Sequence, residues 1–310
     1  MTPCRNFLPA ETVTLFARVI VVDWSAAASP GPPRPSPDRC WLAWADAGAG
    51  AGARPAAEYF RTRAACEARI AELIAGCDGP VLAGFDFPFG YPDGSGLGGG
   101  RAAAARLAAL IADDPGSGAN NRFAVAARLN REIGPSPAPG PFWGVPPARA
   151  EDALAPTRPD FAASPFAEKR IAEARLRDRG HPVMTTWQLL GRGSVGGQVL
   201  MGLPALDRLA RHPDFGPRVR YWPFETDWAA RLDGVVLTEI WPSLSSWRAL
   251  DLQIRDAAQV TAQRDAILGM TAAELVAALA RPDWLDARDT ARVMAGEGWI
   301  FGITEVARPG

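Results

Sequence analysis

Four acidic positions stand where carboxylates do chemistry. Asp23 closes the apolar run Arg18-Val-Ile-Val-Val-Asp23, and Asp86 closes Val81-Leu-Ala-Gly-Phe-Asp86. Glu239 sits near the end of Val235-Val-Leu-Thr-Glu-Ile-Trp241, and the fourth is one of the pair Asp286 and Asp289, at the start of a C-terminal helical stretch. Buried carboxylates are unfavourable unless paired, hydrogen-bonded or metal-bound. Acids at adjacent strand ends can converge, and three or four such oxygens suit a hard cation, Mg2+ or Mn2+. Two ions roughly 3.5–4 Å apart activate a water and stabilise a leaving alkoxide in phosphodiester hydrolysis. Singly, each acid has a plainer use, since a strand-end Asp caps the next turn and Asp286 suits a helix N-cap. As a set, Asp23, Asp86, Glu239 and Asp289 or Asp286 point to one- or two-metal hydrolysis.

Composition closes off the main competitors. The two histidines, His181 and His212, leave little room for imidazole acid–base chemistry. Cys4, Cys40, Cys66 and Cys77 form no C-x-x-C pair, which argues against structural zinc and for reduced thiols in the cytoplasm. The formal charge of −1 excludes a broad positive field for coating nucleic acid. Lys169 is the only lysine, so any phosphate recognition must be local and built from arginine. No charged leader with an apolar stretch opens the chain, and its longest early apolar run is strand-sized, so neither secretion nor a membrane partner is expected.

Several residues suit substrate binding. Gly191-Arg-Gly-Ser-Val-Gly196 matches G-x-G-x-x-G, with Arg192 and Ser194 inside it. A dinucleotide fold requires a strand before this loop and a helix after it. Thr185–Leu190 could serve as the strand, but Gly202 and Pro204 argue against the helix. A loop contacting a substrate phosphate is the better reading. Arg122 shares a helical stretch with Arg128 and Arg131, either as a solvated face or as an edge that touches phosphate. Trp143, in a Pro/Gly-rich loop, is the tryptophan placed to stack on a base. Ser25 is the hydroxyl nearest the first acid.

The elements that must position these residues read as an α/β fold. Strands are expected over 18–23, 40–44 and 58–61 as an antiparallel meander, then a helix over 64–75 and a strand over 81–86. From 93 to 217 a block rich in Gly, Pro and short helices (101–112, 119–133, 166–179) reads as an insertion or lid within one domain spanning 1–310. Strands over 219–222 and 235–241 and helices over 257–268, 271–280 and 284–295 complete the pattern.

The order of meander, helix and strand, with acids on the first and fourth strands and in the last helix, resembles the ribonuclease H-like fold. More narrowly, the chain is similar to a family of bacterial and archaeal proteins described as predicted RNase H-like nucleases. The likeness rests on Val22-Asp23, Gly84-Phe-Asp-Phe-Pro-Phe-Gly-Tyr-Pro92, the proline-rich stretch from Phe142 to Arg149, Thr238-Glu-Ile-Trp-Pro-Ser243, and Asp286 to Ala291. Asn121-Arg-Phe, Pro141-Phe-Trp-Gly and Glu297-Gly-Trp-Ile300 are similar to a narrower group of full-length bacterial relatives. The resemblance implies a mixed sheet flanked by helices, a helical insertion, and hydrolysis of a nucleic acid or a small phosphorylated substrate. Other classes stay open. These are a non-catalytic or nucleotide-binding protein on the same fold, a dinucleotide-binding protein using the Gly191–Gly196 loop, and an actin-like phosphotransferase. The last lacks a Gly-rich hairpin after the first strand.

Overall fold

The computed structural model describes residues 15–133, 137–162, 164–191 and 193–304. Six strands make one mixed sheet, in the order β3-β2-β1-β4-β6-β5. They are β1 (Arg18–Asp23), β2 (Cys40–Asp46), β3 (Glu58–Phe60), β4 (Val81–Phe85), β5 (Val219–Tyr221) and β6 (Val235–Glu239). β1, β2 and β3 form the antiparallel meander, β4 and β6 run parallel to β1, and the short β5 pairs with β6 at the edge. All six expected strands are present, with ends moved by a few residues.

Alternation sorts the side chains into two cores. Ile20, Val22, Ala83, Phe85, Val235 and Leu237 face one core, together with α1 (Arg63–Ala75), α2 (Gly100–Ala108), α3 (Arg122–Glu132) and α5 (Gly196–Ala210). Val19, Val21, Leu82 and Val236 face the other, with α4 (Ile171–Asp178), α6 (Arg255–Leu268) and α7 (Ala272–Leu279). Most helices therefore lie against the sheet, and much of the block between β4 and β5 shares the first core with it. A short α8 (Ala287–Arg292) continues as a π-turn, Val293–Glu297. Among the described residues no helix is long and apolar enough to cross a membrane.

One element departs from the sequence expectation. α5 runs 15 residues straight through Gly202 and Pro204. Thirteen of its residues are buried, so burial outweighs a helix-breaking penalty of about 3 kcal/mol for proline. Gly202 has a packing reason as well. A Cβ there would meet the Phe87 ring at 2.3–2.7 Å, so the missing side chain lets α5 lie flat on the aromatic segment after β4.

Candidate active site

β1 and β4 are parallel with Val22 level with Phe85, and the Asp86 N–H donates to the Val22 carbonyl at 3.1 Å. One step further along, Asp23 and Asp86 leave adjacent strand ends with their carboxyl groups within hydrogen-bonding reach of each other. Asp86 Oδ1 accepts the Trp24 N–H at 2.8 Å. Asp86 Oδ2 lies 3.4 Å from Gln198 Nε2, and the same amide donates to the Trp24 carbonyl at 2.6 Å. Burial, then the charges of Asp86 and Asp256, hold the Asp23 carboxyl well above its usual range. Burial raises Asp86 to about 6, although hydrogen bonds from Asp23 and Trp24 pull the other way.

Asp256, from the first turn of α6, is the third acid of this neighbourhood and was not among those expected from sequence. Its Oδ2 accepts the Asp38 N–H at 2.7 Å and its Oδ1 faces Arg255 Nε at 3.3 Å. The sequence signal was present but plain, an acid immediately before the helix expected over 257–268. Such an acid usually serves the helix dipole.

Glu239 does not join the pair. It lines the same cavity as Asp23 and Asp86, but in the parallel ladder it is level with Phe85, one tier short of Asp86. Its carboxylate is instead gripped by the fully buried Arg170, whose Nη2 and Nη1 donate to Oε1 at 2.7 Å and Oε2 at 2.8 Å. Arg170 also donates to Glu173 Oε1 at 2.9 Å and to the Glu297 carbonyl at 2.8 Å. Burial alone would lower the Arg170 pKa, but Glu239 and Glu173 lift it above the usual value. Glu239 thus stands at the wall of the cavity with its carboxylate taken up by an ion pair.

The C-terminal pair is elsewhere too. Asp286 is an exposed N-cap whose side chain accepts the Asp289 N–H at 2.7 Å, and Asp289 pairs with Arg292 at 3.2 Å. Neither lines the cavity that holds Asp23 and Asp86. The start of α8 resembled an acid-bearing last helix, but capping accounts for Asp286.

That cavity is about 920 Å3 and is lined by both polar and aromatic side chains. Its polar lining includes Asp23, Asp86, Asp256, Glu239, Ser25, Arg122 and Ser194. Ser25 is held by its own loop, donating to the Asp38 carbonyl at 3.2 Å and accepting the Ala27 N–H at 3.2 Å. Its apolar and aromatic lining includes Trp241, Trp247, Leu244 and Leu190. Trp143 is not part of it. That ring packs against the first core while its backbone bridges Ala155 and Gln188, so the tryptophans placed for stacking are Trp241 and Trp247. Arg192 lies outside the described residues, as does Cys4; Cys40, Cys66 and Cys77 are free and buried.

The Gly191–Gly196 loop opens α5, as a dinucleotide motif would, but Thr185–Leu190 forms no strand of the sheet. The parallel strand needed beneath the loop is missing among the described residues, which removes the main support for a dinucleotide fold.

Among the described residues no three His, Cys, Asp or Glu side chains gather as a metal-holding group. The four-carboxylate, two-ion site expected from sequence is therefore not assembled. A single ion is a different matter. Mg2+ is commonly held by one or two carboxylates, with waters and substrate phosphate oxygens completing its octahedron. Asp23 and Asp86, crowded and partly buried in one cavity, fit that donor set. No family model, curated protein or solved structure matches the chain.

Proposed function

We propose that the chain is a cation-dependent phosphoester hydrolase on a ribonuclease H-like fold, with Asp23 and Asp86 holding one Mg2+ or Mn2+ ion. The observation that carries this reading is the juxtaposed Asp23–Asp86 pair at adjacent parallel strand ends, open to a cavity that also contains an arginine with no carboxylate partner among the described residues. Support for the fold is the strand order β3-β2-β1-β4, antiparallel then parallel, with the paired acids ending β1 and following β4. The outer β5, which precedes β6 in sequence, is an addition to that core order.

A cation bound there polarises a phosphoryl oxygen and lowers the pKa of a coordinated water. The chain's own groups prepare the place. The Trp24 N–H and Gln198 fix the Asp86 carboxylate, and Asp256 ties the β1–β2 loop at Asp38 while adding negative charge beside Asp23. The net charge of −1 and the cavity's size favour a small phosphorylated substrate, or a single nucleic-acid end, over a long duplex.

Two measurements test the reading. Calorimetric titration with Mn2+ is expected to show binding that Asp86→Asn loses and Asp289→Asn keeps. Mn2+-dependent hydrolysis of p-nitrophenyl phosphate, its bis ester or a short single-stranded oligonucleotide is expected to fall by about 100-fold or more in Asp86→Asn. Mn2+ binding unchanged by Asp86→Asn sinks the assignment. The engagement of Glu239 by Arg170 favours a second reading, a non-catalytic binder of a phosphorylated small molecule. It predicts ligand binding without turnover and without dependence on Mn2+.

A further inference from the structure

Among the described residues, Arg122 is a buried charge without an acid, its guanidinium lying over the Phe123 ring at 4.3 Å. It is 8% exposed, on the first turn of α3, and its Nε has no hydrogen-bond partner. Its Nη1 donates to Asn120 Oδ1 at 2.8 Å, a neutral acceptor, and no carboxylate among the described residues pairs with it. Its charged neighbours are two further arginines, Arg63 and Arg149. Burial first, and then these two cations, push its pKa down to about 10. Arg63 is no substitute partner, being itself held by Asp113 and the carbonyls of Ser25, Ala27 and Gly118. A buried cation without a counter-charge is costly to keep, and such groups concentrate where a ligand supplies the missing charge.

The start of α5 lies directly against it. A Cβ on Gly197 would sit 3.8 Å from Arg122 Nε and 3.1 Å from the Ala26 Cβ, so a glycine here lets the helix end close on both. Gly196 donates its N–H to the Gln188 carbonyl, but those of Gly197 and Gln198 have no acceptor among the described residues. Helix N–H groups left open at an N-terminus, with the positive end of the dipole, favour a bound anion. The next residue, Gln198, touches Asp86, so this corner adjoins the acid pair. Ser194, also lining the cavity, adds a hydroxyl.

We propose that Arg122, the first turn of α5 and the Ser194 hydroxyl form a phosphate subsite, which takes the phosphate of the substrate beside the Asp23–Asp86 pair. The inference rests on the phosphoester reading for the identity of the anion. The uncompensated charge and the open helix end stand without it. The arrangement assigns the carboxylates and the arginine to different jobs, with Arg122 binding the negative group and Asp23 and Asp86 flanking it.

The test is calorimetry with inorganic phosphate and with a nucleoside 5′-monophosphate, on the full chain without added metal. Wild type is expected to bind both. Arg122→Gln is expected to lose about tenfold or more in affinity, and Arg122→Lys to recover part of it as a point charge. Tighter binding of the ester than of phosphate assigns its organic half to Trp241 and Trp247, whereas equal affinities identify free phosphate as the ligand. A purely structural arginine would stabilise the fold, so the unfolding midpoint without phosphate is a second readout. Arg122→Gln is expected to match or exceed wild type there, while the midpoint increase produced by phosphate disappears. Undiminished phosphate binding in Arg122→Gln, or a fold that collapses in both Arg122→Gln and Arg122→Lys, overturns the subsite. Loss of phosphate binding in the variant, in a protein that neither binds Mn2+ nor hydrolyses esters, overturns the hydrolase reading and leaves the subsite standing.

Discussion

Asp23 and Asp86 bind protons more tightly in the folded protein than in an unfolded chain, because burial raises both and the charge of Asp86 raises Asp23 further. Folding therefore becomes less favourable as pH rises from about 4, the unfolded carboxyl value, through about 6 for Asp86. Asp86→Asn removes the repulsion and keeps an oxygen to accept the Trp24 N–H. In chelator, the variant is expected to be more stable than wild type at pH 8, by on the order of 2–3 kcal/mol, and equal to it near pH 4. Urea denaturation at the two pH values measures this, and a variant less stable at pH 8 would contradict the arrangement. Glu239 predicts the opposite sign. Removing its charge leaves Arg170 buried with Glu173, so Glu239→Ala is expected to lose about 3–5 kcal/mol in the same measurement. Legibility at this scale was uneven. Asp23 and Asp86 could be found because each follows an unbroken apolar run. Glu239 looked equivalent, but two further residues separate it from the end of its run, and Arg170 takes up its carboxylate at the cavity wall.

Among the elements, the strands were legible because β-branched and aromatic runs bounded by Gly, Pro and Asp have few other uses. The helix α5 was not, since Gly202 and Pro204 are read locally as breakers while the force that holds them is tertiary. Gly202→Ala tests this. Helix propensity alone predicts a gain of about 1 kcal/mol. The Phe87 ring in the way predicts a loss of about 1–3 kcal/mol from overpacking. Thermal unfolding of the variant decides between the two, and a gain would mean that α5 and the segment after β4 are packed less closely than described. The loop before α5 is legible as a phosphate contact, whereas the helix end that adjoins Asp86 through Gln198 is not.

For the whole molecule, near-neutral charge argued against polyanion binding, and the cavity refines that argument. Arginines are numerous, but many are already engaged with acids or carbonyls. Arg18 holds Asp46, Arg101 holds Glu225, and Arg208 holds Glu67. The informative quantity is the charge left both buried and without an acid, which composition cannot give, and among the described residues Arg122 is such a charge. Which acid pairs with which arginine depends on contacts between residues far apart in sequence, such as Arg170 with Glu239, and no spacing rule reveals them.

The knot around Arg170 also has a direction in time. Its partners Glu239 and the Glu297 carbonyl emerge from the ribosome well after Arg170 itself, and Glu297 further accepts the N–H groups of Asp93 and Ile171. Until β6 has been made, a nascent chain must keep this guanidinium in water, and until the turn at Glu297 has been made the segments at Asp93 and Ile171 lack their common acceptor. Vectorial synthesis thus defers the last closure of the fold until most of the chain is out. The acid pair at Asp23 and Asp86, though encoded early, is backed by α6 and Asp256 only late in the same sequence of events.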